Sequence, residues 1–423
     1  MPMLELFPDS TAVEDGALAI GGVRATELAG EFGTPLVVYC EQTLRAQARA
    51  YRQAAPDALV VYGSKAFPNL ALLRLFAEEG LGADVSTLGE LELARRAGIA
   101  GERLIVHGNN KSDEELRAAA EADARLVVID ALDEVERAAA AGVQRVLVRV
   151  TSGIEADTHE AIRTGYHGSK FGLPPEDAVE ALRRAAATGL DPAGLHVHIG
   201  SQLLDTHAAR MTVEWLGAFA AVCRTELGGW EPAVVDLGGG LGVRHVEDEE
   251  PPAVEEFVGE LLQRLERAWE LHGLRRPLVV FEPGRSLVGR AGVALYRVGI
   301  VKRASETTTY VAVDGGMSDN PRPHLYGARY TAVLADRADE LGEHSYTVTG
   351  KNCEEEMLVR RVLLPEPRRG DVLAIPAAGA YTLAMSSNYN LLPRPAAVLV
   401  GEGQARLIRR RETLEDVLSL EPG

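Results

Sequence analysis

Lysines are scarce in this chain, and one of them stands where a lysine could act as a nucleophile. Only five lysines occur among the 44 basic residues. Lys65 ends the run VVYGS, and desolvation in a crowded site would favour the neutral, nucleophilic form of its amine. Such an amine can condense with an aldehyde cofactor. A structural ion pair with Asp84 would explain the same residue.

Two glycine-containing turns could form an anion site. Gly238, Gly239 and Gly240 follow the run AVVDL, and their backbone N–H groups could approach a phosphate closely. The segment EPGR supplies Gly284 and Glu282. A carboxylate facing a pyridine nitrogen keeps that nitrogen protonated and makes the ring a better electron sink. A tight turn and a core glutamate paired with arginine are the structural alternatives.

The segment HVHIGSQ carries His198 and Ser201. The imidazole of His198 could stack on a cofactor ring, and the hydroxyl of Ser201 could bond to phosphate. His196 and His198 could instead be metal ligands, because residues i and i+2 share one face of a strand. A third ligand is not evident in the sequence, and we therefore predict no metal site.

Three clusters in the last third of the chain hold further polar residues. They contain Arg322 and Tyr326, then Cys353 and Glu354, and finally Tyr381. Taken alone, each cluster could be a turn, and a lone cysteine beside acids is more often a small buried residue.

Short β-branched runs alternate with helical patterns through the first two thirds of the chain. The eight runs lie at 58–65, 82–87, 103–109, 125–130, 145–150, 194–201, 233–240 and 277–285. Strands that alternate with helices pair in parallel, and eight such units match a (β/α)8 TIM barrel. A doubly wound open sheet is the alternative. In a barrel, polar residues at the carboxyl ends of the strands would converge on one mouth.

Helical segments lie between the runs, and two of them begin with recognisable caps. The segments are predicted at 87–97, 112–122, 132–141, 174–188, 208–227 and 253–272. Thr87 and Glu90 suggest a capping box, and Ser112 suggests an N-cap. The stretch 151–174 is long enough to be a functional or covering loop.

After about residue 290 the pattern changes to strands without long helices, closed by a short helix at 413–420. We predict a cofactor-binding barrel at 34–288. Residues 1–33 and 289–423 would form an all-β domain that contributes to the active site and to a dimer interface.

Composition excludes several classes of protein. A net charge of −18 argues against nonspecific nucleic-acid binding, and no apolar run is long enough for a membrane helix. The N-terminus lacks the pattern of a secretory signal. Cys40, Cys223 and Cys353 are too scattered for a disulfide framework or a zinc site, so we expect a cytoplasmic protein.

From about residue 34 to 400 the chain resembles diaminopimelate decarboxylases, which belong to the alanine-racemase-like group of pyridoxal-phosphate (PLP) enzymes. The matching segments include YGSKAFPN, VHGNNKSDEEL, THEAIRTG with SKFG, HVHIGSQ, DLGGGLG, EPGRSLVG, VDGGMSDNPRPHLYGARY and GKNCE, in the family's order. The resemblance implies PLP-dependent decarboxylation of meso-2,6-diaminopimelate to L-lysine and CO2, the last step of lysine biosynthesis. It also implies a homodimer with shared active sites.

The resemblance also implies a role for each matching residue. Lys65 would bond to PLP and Cys353 would donate the proton to carbon, which makes these two the catalytic residues. The implied cofactor contacts are Lys65, Asp84, Arg149, His198, Ser201, Gly239, Gly240, Glu282, Pro283, Gly284, Arg285 and Tyr381. The implied substrate contacts are Arg285, Arg322, Tyr326, Glu354 and Tyr381, with Cys353 and Glu354 serving the other subunit.

The match is weaker beside the cysteine. The family usually has a serine after the Cys–Glu pair, whereas this chain has Glu355, Glu356 and Met357, and it carries Leu391 and Leu392 further on. The added acids could raise the pKa of the thiol or admit another distal group. The alternatives are therefore a decarboxylase acting on another diamino or carrier-linked amino acid, and a non-catalytic PLP-binding regulator. A racemase is disfavoured, because racemisation needs acid–base groups on both ring faces.

Overall fold

The computed structural model describes residues 4–154 and 168–422. Its residues group into two compact units. The β unit comprises Met1–Ala46, Val243–Glu250 and Ser286–Gly423, and the barrel unit comprises Gln47–Gly242 and Pro251–Arg285. Most of the predicted covering loop at 151–174 lies outside the described residues.

The barrel unit contains a closed ring of eight parallel strands, which confirms the (β/α)8 barrel over the open sheet. The strands are β5 (Leu59–Gly63), β6 (Gly82–Val85), β7 (Leu104–Val106), β8 (Leu126–Ile129), β9 (Arg145–Arg149), β10 (Asp191–His196), β11 (Val234–Asp236) and β12 (Leu278–Phe281). Seven of these strands lie within the predicted runs, and β10 overlaps its run of 194–201 but begins three residues earlier, at Asp191.

Branched aliphatic side chains fill the inside of this ring. The buried core cluster contains Val61, Ile105, Leu126, Val128, Leu147, Ala193, Val234 and Val280. These residues come from seven of the eight strands, so the interior is a packed core and the chemistry must lie at its ends.

Seven helices of the described chain follow the barrel strands. They are α3 (Leu70–Glu78), α4 (Leu88–Arg96), α5 (Asp113–Glu121), α6 (Glu134–Ala140), α7 (Pro175–Ala187), α8 (His207–Glu226) and α9 (Val254–His272). Ser112 caps α5 with a complete capping box, as predicted. The box predicted at α4 is only half formed: Thr87 accepts from the N–H of Glu90, but the Glu90 carboxylate accepts from Ser86.

The β unit holds two sheets. The strands β1 (Thr11–Glu14), β2 (Ala17–Ile20) and β3 (Val23–Arg24) form a small antiparallel sheet. The larger sheet has nine strands: β4 (Leu36–Cys40), β13 (Gly292–Arg303), β14 (Thr309–Val313), β15 (Val333–Leu334), β16 (His344–Thr349), β17 (Val359–Leu364), β18 (Val372–Ile375), β19 (Ala396–Gly401) and β20 (Gln404–Arg409).

The unit boundary falls later than the predicted residue 34. The reason is β4, which pairs with β13 and β19 of the large sheet. Val243–Glu250 also groups with the β unit.

The remaining helices are short, apart from α2. They are α1 (Ala25–Phe32), α2 (Glu41–Ala54), α10 (Arg285–Val288), α11 (Arg322–Tyr326) and α12 (Leu414–Leu418). Single 3-10 turns lie at Leu4–Leu6, Ser64–Ala66, Gly101–Arg103, Leu383–Met385 and Tyr389–Leu391. In the described part of the chain, no helix is both long and apolar enough to cross a membrane.

Candidate active site

The carboxyl ends of the barrel strands carry a ring of polar side chains. In chain order they are Lys65, Asp84, His107, Arg149, His196, Asp236 and Glu282. All except Lys65 are buried. Parallel strands in a closed barrel bring such residues to one end, so side chains up to 217 positions apart become neighbours.

Lys65 and Asp84 form the first contact of this ring. The Lys65 Nζ lies 2.9 Å from Asp84 Oδ2, so the ion pair given as the structural alternative for Lys65 is present. The Asp84 side chain is 1% exposed, whereas that of Lys65 is 46% exposed. Asp84 therefore holds the amine of Lys65 in place, and the exposed side chain of Lys65 remains accessible to a ligand. The ion pair is thus compatible with a nucleophilic role.

Glu282 is the centre of the buried part of the ring. Its Oε1 lies 2.5 Å from His107 Nε2, and its Oε2 lies 3.4 Å from His196 Nε2. The His107 Nε2 is also 3.9 Å from Asp84 Oδ1, which links Glu282 to the lysine pair. The structural alternative for Glu282 was a pair with arginine, but the described contacts of its carboxylate are with the two histidines.

The buried carboxyl groups of Glu282 and Asp236 differ in charge. Burial would raise the pKa of Glu282, but the charge and hydrogen bond of His107 and the contact with His196 hold it well below its usual range. Burial raises the pKa of Asp236, and the negative charge of Glu282 raises it further. Glu282 is therefore the ionised member of the pair, and Asp236 holds the proton. Burial lowers the pKa of His196 to about 3, so its imidazole is neutral.

The same cluster has the composition of a cation site. One ligand atom from each of His107, His196, Asp236 and Glu282 can be chosen so that all lie within 4.8 Å of one another. The metal pair considered from sequence, His196 with His198, is not the pair that the structure brings together. Instead, Nδ1 of His198 accepts a hydrogen bond from the Gly239 N–H at 3.2 Å.

The glycine-rich turn after β11 packs tightly against backbone atoms. A Cβ at Gly239 would lie 2.4 Å from the Glu282 carbonyl oxygen, so a side chain has no room there. Gly240 has a φ of 114°, and a Cβ would lie 2.8 Å from the carbonyl oxygen of Gly200. Close to this turn, Arg285 donates to the Ser201 hydroxyl from Nε at 3.2 Å and from Nη2 at 3.0 Å.

Arg149 is supported by a separate buried acid. Its Nη1 lies 3.7 Å from Asp130 Oδ2, and its guanidinium carbon lies 4.6 Å from the centre of the Phe171 ring. The other Asp130 oxygen accepts from the N–H of Gly172 at 2.6 Å. Asp130 therefore ties Arg149 to the described end of the loop that follows β9.

The exposed Cys353 and Glu354 lie in a loop of the β unit that is fixed by hydrogen bonds. The N–H of Cys353 donates to Asn390 Oδ1 at 3.1 Å, and Tyr389 donates to Glu354 Oε1 at 2.7 Å. The lone cysteine is thus exposed and is not the small buried residue of the structural alternative.

Glu356 corrects the expectation that both added acids stand beside the thiol. It is 3% exposed, and its carboxylate accepts from the backbone N–H groups of Asn352, at 2.9 Å, and Met317. Burial raises the pKa of Glu356 even though these bonds lower it. Glu356 therefore anchors the backbone of the loop, whereas Glu355 is exposed.

Arg322 and Tyr326 lie on α11, and the arginine is buried. Arg322 Nη1 donates to His245 Nε2 at 2.9 Å and to the Tyr330 hydroxyl, and Tyr326 contacts Met385 Sδ at 3.8 Å. Tyr381 has a φ of 57°, a left-handed conformation that is uncommon outside glycine and is often found at functional sites.

Sequence reasoning assigned no role to four residues of these clusters. They are His107, Asp236, His245 and Glu249. A signal existed for Asp236, because it is an acid that ends an otherwise apolar strand. His245 and Glu249 lie in a loop whose partners are distant in sequence, so no local pattern indicated them.

Comparisons with known proteins agree with this geometry. Residues 41–289 match the family described as pyridoxal-dependent decarboxylase, pyridoxal binding domain. The chain is 44% identical to a diaminopimelate decarboxylase of Actinosynnema pretiosum subsp. auranticum, over 99% of this chain and 96% of that protein. It is 40% identical to the diaminopimelate decarboxylase of Bacillus subtilis, over 96% of each.

Solved structures of diaminopimelate decarboxylases are also similar to this chain. The crystal structure of the diaminopimelate decarboxylase of M. jannaschii, in a co-complex with L-lysine, has a TM-score of 0.91 to this chain. The two sequences are 32% identical, and the match covers 98% of each chain. With the barrel, the accessible lysine and the buried ionised glutamate already established, these similarities show that the chain belongs to the diaminopimelate decarboxylase family of pyridoxal-dependent decarboxylases.

Proposed function

We propose that this protein removes one carboxylate of meso-2,6-diaminopimelate as CO2 and releases L-lysine, the last step of lysine biosynthesis, with PLP as its cofactor. The observation that carries the proposal is the pair formed by an accessible amine, Lys65, and a buried ionised carboxylate, Glu282, at the same end of one barrel. The amine can attach an aldehyde cofactor, and the carboxylate can hold a pyridine nitrogen protonated.

The residues present fit such a cofactor. The turn at Gly239 and Gly240 excludes side chains, and its backbone can therefore approach a phosphate closely. The Ser201 hydroxyl and the Arg285 guanidinium, already in contact with each other, add a further donor and a positive charge. We assign the phosphate to this group, with the Pro283–Gly284 turn and the hydroxyl of Tyr381 as further contacts.

The buried end of the site fits a pyridine ring. Within the described residues, Asp236 Oδ2 and Asp84 Oδ1 are buried without a hydrogen-bond partner. Glu282 is ionised and faces neutral His196, which suits a carboxylate that must hold a positive ring nitrogen. Because the Glu282 carboxylate would hold the ring nitrogen, we assign the four-residue cluster to the cofactor and not to a metal ion.

PLP, when bound, accepts the electron pair of the bond that breaks as the carboxylate leaves. The protein's own residues must then hold the charge and the proton. Glu282 keeps the ring nitrogen protonated, and Asp236 stays neutral beside it because two anions so close would repel each other. Burial lowers the pKa of His198 well below its usual range, so His198 offers an uncharged ring for stacking.

Lys65 and its neighbours position the reactive group. Asp84 holds the amine of Lys65 at 2.9 Å, which limits its motion when the amine is released and when it returns. Arg149, supported by Asp130, places a second positive charge in the ring of polar residues.

We assign substrate recognition to residues that carry charge or hydroxyl groups suited to an amino-acid end. Arg285, Arg322 and Tyr326 would bind the carboxylate that is not lost, Glu354 the ammonium group beside it, and Tyr381 the substrate close to the cofactor. The burial of Arg322 supports this assignment, because a desolvated guanidinium binds a carboxylate strongly.

We further propose that the protein is a cytoplasmic homodimer in which Cys353 and Glu354 of each chain serve the active site of the other. Cys353 would protonate the carbon that loses CO2. The exposure of both residues and the hydrogen bonds that fix their loop support this proposal, since a loop that acts on another chain must be accessible and ordered. The free cysteines suit a reducing compartment.

The test is a substrate panel on purified protein with added PLP. Separate reactions receive meso-diaminopimelate, L-lysine, L-ornithine or L-arginine, and both CO2 and the product amine are measured. We expect equal amounts of CO2 and L-lysine from diaminopimelate alone, and neither product from Lys65→Ala. Turnover of another amino acid in place of diaminopimelate would show that the acidic Cys353 loop serves a different substrate. A protein that binds PLP and turns over none of the four would contradict the proposal.

A further inference from the structure

Arg322 is a buried cation of the β unit that is anchored on one side only. The residue is 4% exposed, and its Nη1 donates to His245 and to Tyr330. Those two bonds use both hydrogens of Nη1. Its Nε is buried and has no hydrogen-bond partner within residues 4–154 and 168–422. The Nε–H is therefore a buried donor without a partner, which a ligand carboxylate would satisfy.

The contact with Arg322 fixes the tautomer of His245. A guanidinium cannot accept a hydrogen bond, so Nε2 of His245 must be the acceptor. Its proton therefore lies on Nδ1, which faces Glu249 Oε2 at 3.3 Å. The His245 ring also packs edge-on against the Tyr330 ring, with 5.3 Å between their centres. Both ends of the imidazole are thus engaged, and its orientation is set.

Glu249 completes the chain of contacts. Its Oε2 also accepts from the backbone N–H of His245 at 2.9 Å. Burial would raise the pKa of Glu249, but the hydrogen bonds from His245 hold it below its usual value, so the carboxylate is ionised. An anion at Nδ1 makes Nε2 a better acceptor for Arg322.

We propose that Glu249 and His245 are positioning residues, which hold Arg322 in the orientation that binds the carboxylate retained in the product. The inference rests on the proposed function, because it takes Arg322 to contact that carboxylate. Neither residue touches substrate. They act through the guanidinium, whose paired hydrogen bonds to a carboxylate depend on its orientation.

The test compares two substitutions at one position in the PLP-loaded enzyme. His245→Leu removes the acceptor for Arg322, whereas His245→Gln keeps an amide oxygen at a similar reach. We expect His245→Leu to raise KM for diaminopimelate about 10- to 100-fold with a nearly unchanged kcat, because an interaction made in both ground and transition states is lost. His245→Gln should recover most of the affinity.

Two inhibitors separate positioning from general damage. L-Lysine keeps the carboxylate that Arg322 would bind, and cadaverine, the diamine left when lysine loses that carboxylate, does not. In His245→Leu we expect inhibition by L-lysine to weaken by about the same factor as KM rises. Inhibition by cadaverine should stay as in the wild type. Glu247→Gln is the matched control in the same loop, since the Glu247 side chain is exposed and bonds to no described residue. This control should change neither the KM for diaminopimelate nor the inhibition by L-lysine.

Several results would overturn the inference. One is a His245→Leu enzyme with the wild-type KM and the wild-type inhibition by L-lysine. Another is an equal loss of L-lysine and cadaverine binding, which would mean that the substitution only disturbs the fold. A wild-type enzyme that does not turn over diaminopimelate would instead contradict the proposed function. The comparison of the two inhibitors' binding would still test the positioning of Arg322.

Discussion

Lys111 is a second lysine of the barrel unit and is fully inside it. Its side chain is 1% exposed, and Nζ donates to the carbonyl oxygens of Gly108, at 2.7 Å, and Val128, at 2.6 Å. The same nitrogen lies 2.7 Å from Oε1 of Glu134, whose side chain is 5% exposed. The three contacts join the loop after β7, strand β8 and the start of α6. Because Gly108 follows His107, they also support the histidine that binds Glu282.

Replacing Lys111 by Met keeps an unbranched apolar side chain and removes the charged amine. Glu134 would then be a buried carboxylate with one bond, from the N–H of Asp130 at 2.8 Å. Breaking a buried pair in this way costs about 3–5 kcal/mol. In the double variant Lys111→Met/Glu134→Gln the unpaired charge is gone and an acceptor for Asp130 remains. It should regain at least about 1 kcal/mol, while the bonds from Lys111 to the two carbonyl oxygens stay lost.

The assay is urea-induced unfolding followed by tryptophan fluorescence. All three tryptophans lie in the barrel unit, so the signal reports on that unit alone. The expected result is a clear fall in the transition midpoint for Lys111→Met and a partial return for the double variant. A single variant within about 1 kcal/mol of the wild type, or a double variant less stable than the single, would refute the buried-pair argument.

Three further predictions concern charge and capping. Glu282→Gln should lower kcat by about 10²-fold or more while PLP still binds, because the charge that stabilises the ring nitrogen is lost; activity and cofactor absorbance measured together check this. Ser112→Ala should lower barrel stability by about 1 kcal/mol in the tryptophan assay, since the Ser112 hydroxyl and the Glu115 carboxylate close a capping box. Burial raises the pKa of Asp319 to about 7, so the folded protein keeps a proton that the unfolded chain loses. Stability of the β unit should therefore fall as pH rises from about 4 to 7, and Asp319→Asn should remove that part of the slope in hydrogen exchange of β14.

The barrel was predictable because its signal is local. A run such as LVVYG must be buried on both faces, and eight such runs with helices between them leave few arrangements. The positions of Lys65 and Glu282 after strands β5 and β12 were predictable for the same reason, since each follows such a run. The Ser112 cap was also correct, because a cap is defined by residues three positions apart.

Pairings between distant residues were not predictable from the sequence. The strand β4 has the same apolar pattern as a barrel strand, and only its pairing with β13 and β19 puts it in the β unit. The partners of Glu282 lie 175 and 86 positions away, and those of Arg322 include a histidine 77 positions away. No spacing rule indicates such contacts, since they depend on the closed fold. The burial of Glu356 was not predictable either, because a run of three acids is usually exposed to solvent.

Lys65 is the residue on which the proposed function depends most, because it must carry the cofactor. The direct measurement is reduction of the PLP-loaded protein with borohydride, followed by peptide mass spectrometry of all five lysines. We predict a phosphopyridoxyl group on Lys65 and on no other lysine, and its absence when excess diaminopimelate is added before the reductant. Labelling of Lys111, Lys170, Lys302 or Lys351 in place of Lys65, or of no lysine at all, would contradict the account.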